Sequence, residues 1–141
     1  KEEVVFKIYL KIFLHYPYVD SDVDTITALY TQSVYDVNRG KYVLDEKDII
    51  TFASLQLLTE FNTNHDSAYQ SLQKNLEKYI PVDQINLNPG VYWIQKIMEL
   101  YTGLKASSTM EAKLTFLEHL KSQSVWEAHI FNSKVKNYLQ N

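Results

Sequence analysis

Residues 22–40 read DVDTITALYTQSVYDVNRG, and residues 41–61 read KYVLDEKDIITFASLQLLTEF. This stretch decides the fold. In its first half Ile26, Leu29, Tyr30, Val34 and Val37 fall at helical spacing and make one apolar stripe. Ser21 or Asp22 is suited to cap its start, and Asp22 and Asp24 place negative charge at the positive end of the helix dipole. Gly40 follows Asn38 and Arg39 and takes positive φ without steric cost, so the helix is expected to stop there. The second half restarts at Asp45, a capping residue, with Glu46 and Asp48 in the first turn. Ile49, Phe52, Ala53 and Gln56 form one stripe, and Ile50, Leu57, Leu58 and Phe61 another. A helix apolar on nearly all sides belongs at the centre of a bundle. Ala53 is small enough to let another helix come close.

The order Leu29-Tyr30-x-Gln32-x-x-x-Asp36-Val37-x-x-Gly40, followed by Phe52-Ala53-x-Leu55-Gln56, resembles the central helical lobe of FERM domains. The likeness is to talins and to the myosins that carry FERM domains in their tails. Residues 76–81 (LEKYIP) resemble the end of that lobe's third helix, and residues 110–120 (MEAKLTFLEHL) its last helix. Three positions depart from the family pattern. Val23 stands where many members have proline, Asn62 where a glycine often ends the second helix, and Glu127 where a glycine usually follows the last one. Asn also tolerates positive φ.

Composition sets wide bounds. The 141 residues suffice for one domain with one core. A hydrophobic fraction of 45% with 22% charged residues is that of an ordinary globular chain. Three Gly and three Pro leave few breakers, which favours long helices. The absence of Cys removes disulfides, thiolate metal sites and cysteine nucleophiles, and suits a reducing compartment. No apolar run reaches the ~18 residues of a membrane span, and no signal peptide is visible. A net charge of −3 argues against a dedicated nucleic-acid binder.

Before the organising stretch, residues 4–14 (VVFKIYLKIFL) alternate in part, as a strand or extended arm does. A buried helix is the other reading. Residues 15–20 (HYPYVD) read as a turn around Pro17. After the second helix, residues 62–66 (NTNHD) read as a polar loop, and Ser67 with Gln70 as a capping box. Tyr69, Leu72, Leu76 and Tyr79 supply the stripe of a third helix, which Pro81 ends. Asn88-Pro89 opens a fourth, with Ile94, Ile97, Met98 and Tyr101 on one face and Gly103 at its end. Ser108 and Glu111 form a capping box for a fifth, which carries Met110, Leu114, Phe116, Leu117 and Leu120. The end of the chain loses the helical period. Val125, Trp126, Ile130, Phe131 and Val135 read as a short strand or extended tail. The expected architecture is an all-α bundle of about five helices with short extended ends. Residues 1–20 form the arm, 21–122 the bundle and 123–141 the tail of a single domain.

Chemistry is sparse. His15, His65, His119 and His129 have no ligand spacing, and no nucleophile, phosphate-loop or calcium-loop motif occurs. No catalytic residue, metal site or cofactor is expected. Trp93 and Trp126 are candidate interface anchors, since Trp is enriched at binding hot spots, against the plainer reading that they fill the core. Lys74 and Lys78 stand one turn apart on the third helix, away from its stripe. They read as a solvated face or as a small patch for acidic phospholipid, worth ~1 kcal/mol per residue near such a surface.

The FERM resemblance implies an acyl-CoA-binding-protein-like fold without implying its ligand. It also implies a non-catalytic lobe packed between neighbouring FERM lobes, in a cytoplasmic protein that links plasma membrane or adhesion receptors to actin, or in a myosin cargo tail. Partners implied are those lobes, acidic phospholipids, and cytoskeletal or receptor-tail proteins that engage the whole domain. Peptide recognition in this family usually falls on the third lobe. Self-association through apolar ends is a further expectation. The rival readings are a free-standing helical adaptor that grips a partner helix or peptide, and a small-molecule carrier.

Overall fold

A computed structural model describes residues 23–123. Five α-helices follow one another there: α1 Val23–Asn38, α2 Glu46–Phe61, α3 His65–Lys74, α4 Gly90–Gly103 and α5 Thr109–Lys121. Two 3-10 turns, Leu76–Lys78 and Ile85–Leu87, lie between α3 and α4. No strand occurs among the described residues. The all-α expectation holds. The arm of residues 1–20, the cap at Ser21 or Asp22, the tail after Gln123 and Trp126 lie outside the described residues.

The central helix is α2, as its nearly all-round apolar pattern implies. Every side chain from Phe52 to Leu58 is buried, and Ala53 is fully so. This helix packs against α5, α4 and α3, while α1 leans mainly on α5. Aromatic rings join these layers. Phe116 meets Tyr30 edge-on at 5.2 Å and Phe52 at 4.8 Å between ring centroids. A polar side chain at the centre of α2 is satisfied across the packing. Ser54 Oγ donates to the Ile50 carbonyl at 2.8 Å and approaches the Ile97 carbonyl of α4 at 3.2 Å. A buried hydroxyl without such a partner costs ~1–3 kcal/mol.

The helix ends follow their local chemistry. Gly40 has φ +81°, and a Cβ there would sit 2.8 Å from Asp83 Oδ1. Asp45 Oδ1 accepts from the Asp48 amide at 2.9 Å and so caps α2. Asn62 ends α2 at φ 50°, in the role glycine often fills. Ser108 Oγ accepts from the Glu111 amide, whereas the Glu111 carboxylate turns to Ser107 and leaves the capping box half made.

The third helix departs from expectation at both ends. Its cap is Asn64, whose Oδ1 accepts from the Ser67 amide at 3.3 Å, so His65 and Asp66 are helical and Ser67 caps nothing. It stops at Lys74 rather than running to Tyr79. The reason is tertiary. The Lys78 carbonyl accepts from Asn38 Nδ2 at 2.7 Å and Gln56 Nε2 at 3.2 Å, and the Tyr79 hydroxyl reaches Ser71 at 2.6 Å and Glu60 at 3.3 Å. These bonds, with burial of Tyr79 and Ile80, draw the chain out of the helix after Lys74. At α4, Pro89 sits one position before the first helical residue, and Asn88 Nδ2 donates to Glu46 Oε1 instead of capping.

Candidate functional site

The motif that marks the first two helices assembles into one polar junction. Gln32 Nε2 donates to Asp36 Oδ1 at 3.0 Å, one helical turn away. Asp36 is nearly buried and holds Lys41 Nζ at 3.6 Å from Oδ2, while its carbonyl accepts from the Lys41 amide. Asn38 Nδ2 lies 3.3 Å from Gln56 Oε1, and the Asn38 carbonyl accepts from the Val82 amide at 3.1 Å. Gly40 lies against Asp83. Asn38, Gly40 and Gln56 therefore fix how the α1–α2 turn meets the connection from α3 to α4, while Gln32 and Asp36 hold the turn itself. Sequence reading found the letters but not this junction, because Asn38 and Lys78 are distant in sequence and carried no pattern of their own.

The candidate contact residues occupy different settings. Lys74 lies exposed in the last turn of α3, where a cation suits the helix dipole. Lys78 is on the following 3-10 turn, not on the helix, and its Nζ is 3.3 Å from Glu60 Oε2. That pairing offsets part of the charge Lys78 would bring to an anionic surface, although an exposed pair of this kind adds little stability, ~0–1 kcal/mol. Trp93 is 1% exposed, and its indole N–H donates to the Ile85 carbonyl at 3.0 Å. It ties the second 3-10 turn to α4 from within the core.

A shallow open groove of about 350 Å³ runs between α3 and α4, lined by Tyr69, Gln73, Val91, Ile94, Gln95 and Met98. Tyr69 on its rim accepts from Gln73 Nε2. Elsewhere, a carboxylate and a histidine meet where α5 ends beside α2. His119 Nε2 is 3.1 Å from Asp48 Oδ1, and Gln123 Nε2 is 3.5 Å from the same atom. Burial pushes the Asp48 carboxyl up, aided by Asp45 and opposed by His119, whereas the Asp48 amide holds Asp45 down. Burial also raises Tyr30 and Tyr79 to about 12. Among the described residues no three of His, Cys, Asp and Glu converge as metal ligands.

A family model described as FERM central domain matches residues 19–131. The chain belongs to the FERM central domain family. The match covers all five helices and extends beyond the described residues on both sides. The motif residues Leu29, Tyr30, Gln32, Asp36 and Gly40 lie within it. The lobe thus belongs to a class of non-catalytic interaction modules that work at membrane and cytoskeleton. No helix among the described residues is long and apolar enough to cross a membrane.

Proposed function

We propose that this chain is the central lobe of a FERM domain in a talin-like protein that links plasma membrane or adhesion receptors to actin, or in a FERM-tailed myosin that holds cargo. The match over residues 19–131 carries this reading. The lobe fixes the relative positions of its neighbours and offers surface to lipid or protein, without catalysis and without a cofactor. Residues 1–20 lead in from a preceding lobe, and residues 123–141 lead out to a following one. The parent works in the cytoplasm, at the inner face of the plasma membrane. Reading the parent coding sequence on both sides tests the assignment. The expected result is a ubiquitin-like strand pattern upstream and a seven-strand-plus-helix pattern downstream. Stop codons close to both ends would contradict it.

Lys74 and Lys78 are the proposed lipid contacts. Sedimentation with acidic vesicles should show weak binding that Lys74→Glu lowers more than Lys78→Glu, because Glu60 already faces Lys78. Binding unchanged in the double variant would remove both residues from the contact. The α3–α4 groove favours a second reading, a helical adaptor that takes one face of a partner helix. Tight binding of a single amphipathic peptide by the isolated lobe, lost on Met98→Lys, would move the assignment to that reading.

A further inference from the structure

We infer that the groove between α3 and α4 takes an amphipathic helix of a partner protein, apolar along one face and basic at one end. The inference deepens the second reading above, that the groove takes a partner helix, and rests on it. One stripe of α4 makes the floor. Val91, Ile94 and Met98 fall at i, i+3 and i+7, with Ile94 and Met98 packed on the core and Val91 77% exposed. Tyr69 of α3, also exposed, faces them. The His65 ring meets the Tyr101 ring at 5.1 Å, and Leu76 Cδ2 lies 3.6 Å from the Cβ position of Gly90, so α3 and α4 run antiparallel along the groove. The 10 residues of α3 extend for roughly 15 Å, about three turns of a helix laid beside them.

The groove suits a helix better than an extended peptide. Both walls are helices, whose backbone groups pair internally, so they offer no sheet edge to an added strand. The two amide side chains in the lining already donate within it, Gln73 Nε2 to the Tyr69 hydroxyl at 3.0 Å and Gln95 Nε2 to Glu99 Oε1 at 3.3 Å. An extended peptide would lay unpaired backbone groups on a hydrocarbon floor, whereas a helix satisfies its own.

The charges beside the groove select the partner. Glu99 lies on the rim, where Gln95 bonds to it. Asp66 stands three residues before Tyr69 and seven before Gln73, on the same face of α3. The start of α3 meets the end of α4, so both carboxylates flank one end of the groove. Lys96 Nζ lies instead over the Tyr92 ring at 5.8 Å, and the Tyr92 hydroxyl bonds to Glu46 of α2, which puts this cation on the other side of α4. Lys74 stands at the opposite end, in the last turn of α3. An apolar groove with one acidic end favours Lys or Arg on the helix that enters it there.

Fluorescence anisotropy with the whole chain tests the inference. Three helical peptides of about 15 residues share Leu at i, i+4 and i+7 and differ only beside one end of that stripe, where they carry Lys, Gln or Glu. The Gln peptide should bind, which reads the groove alone. The Lys peptide should bind on the order of tenfold more tightly than the Glu peptide, and Asp66→Asn with Glu99→Gln should remove most of that difference. Val91→Asn should weaken all three peptides, and its exposure keeps the substitution out of the core. Equal affinity for the three peptides would overturn the basic end and leave the groove reading standing. No binding by any of them would remove both. A preference for Lys that is indifferent to the Asp66 and Glu99 substitutions would overturn the inference, as would a concentration-dependent dimer in sedimentation that Val91→Asn dissolves, since the groove would then hold a second copy.

Discussion

At the scale of the residue, Gly40 is constrained twice over. Its φ of +81° and the Asp83 carboxylate 2.8 Å from the Cβ position act together. Positive φ alone costs a side chain about 1–2 kcal/mol, and Asp83 must also move. Gly40→Val should therefore lower stability by about 2 kcal/mol or more, read from the urea midpoint of helical circular dichroism. An unchanged midpoint would mean the turn is not held as described. That Gly40 ends a helix was legible, since its place after an apolar stripe states it. The need for glycine against Asp83 was not, because that contact crosses the fold. The tyrosines give a second prediction. Tyr30 and Tyr79 titrate at about 12 in the folded chain, against 10.0 for the free group. Folding then favours the protonated hydroxyls. Their contribution is fully present below pH 10 and lost as pH rises towards about 12. The urea midpoint should fall across that window, and less steeply in Tyr79→Phe than in the parent chain.

At the scale of the element, the start of α2 was legible from its cap, whereas the expected cap of α4, Asn88, bonds to Glu46 instead. Asp45 stands alone before α2, and it caps. Before α3 the sequence reading took residues 62–66 as a loop and Ser67 with Gln70 as the capping box, but Asn64 lies one turn earlier and takes the Ser67 amide. Asn64→Ala and Asp45→Ala should each cost ~1 kcal/mol, and Ser67→Ala no more than about 0.5 kcal/mol. Equal costs at Asn64 and Ser67 would contradict the observed cap. The end of α3 was not legible either. Its stripe of Tyr69, Leu72, Leu76 and Tyr79 continues through residues that leave the helix. Local pattern cannot report that Asn38 and Gln56 would bind the Lys78 carbonyl. The partners of the buried Ser54 and Gln56 in the centre of α2 were hidden in the same way, since they lie on α4, on α1 and after α3.

At the scale of the whole molecule, the five-helix class was legible because each stripe has helical period and the breakers fall between stripes. The FERM family was legible from the spacing of Leu29, Tyr30, Gln32, Asp36 and Gly40, and the match over residues 19–131 shows it. A surface of interaction is harder to read. Exposure depends on which faces the helices leave over, and no local pattern separates Val91 from core residues of the same type. The role proposed for this lobe is to pack between neighbours. Differential scanning calorimetry of the lobe alone, and of the same lobe joined to the segments encoded on either side, tests it most directly. The joined protein should unfold in one transition that includes this lobe, at a higher temperature than the lobe shows alone. A lobe transition at the same temperature in both would contradict it.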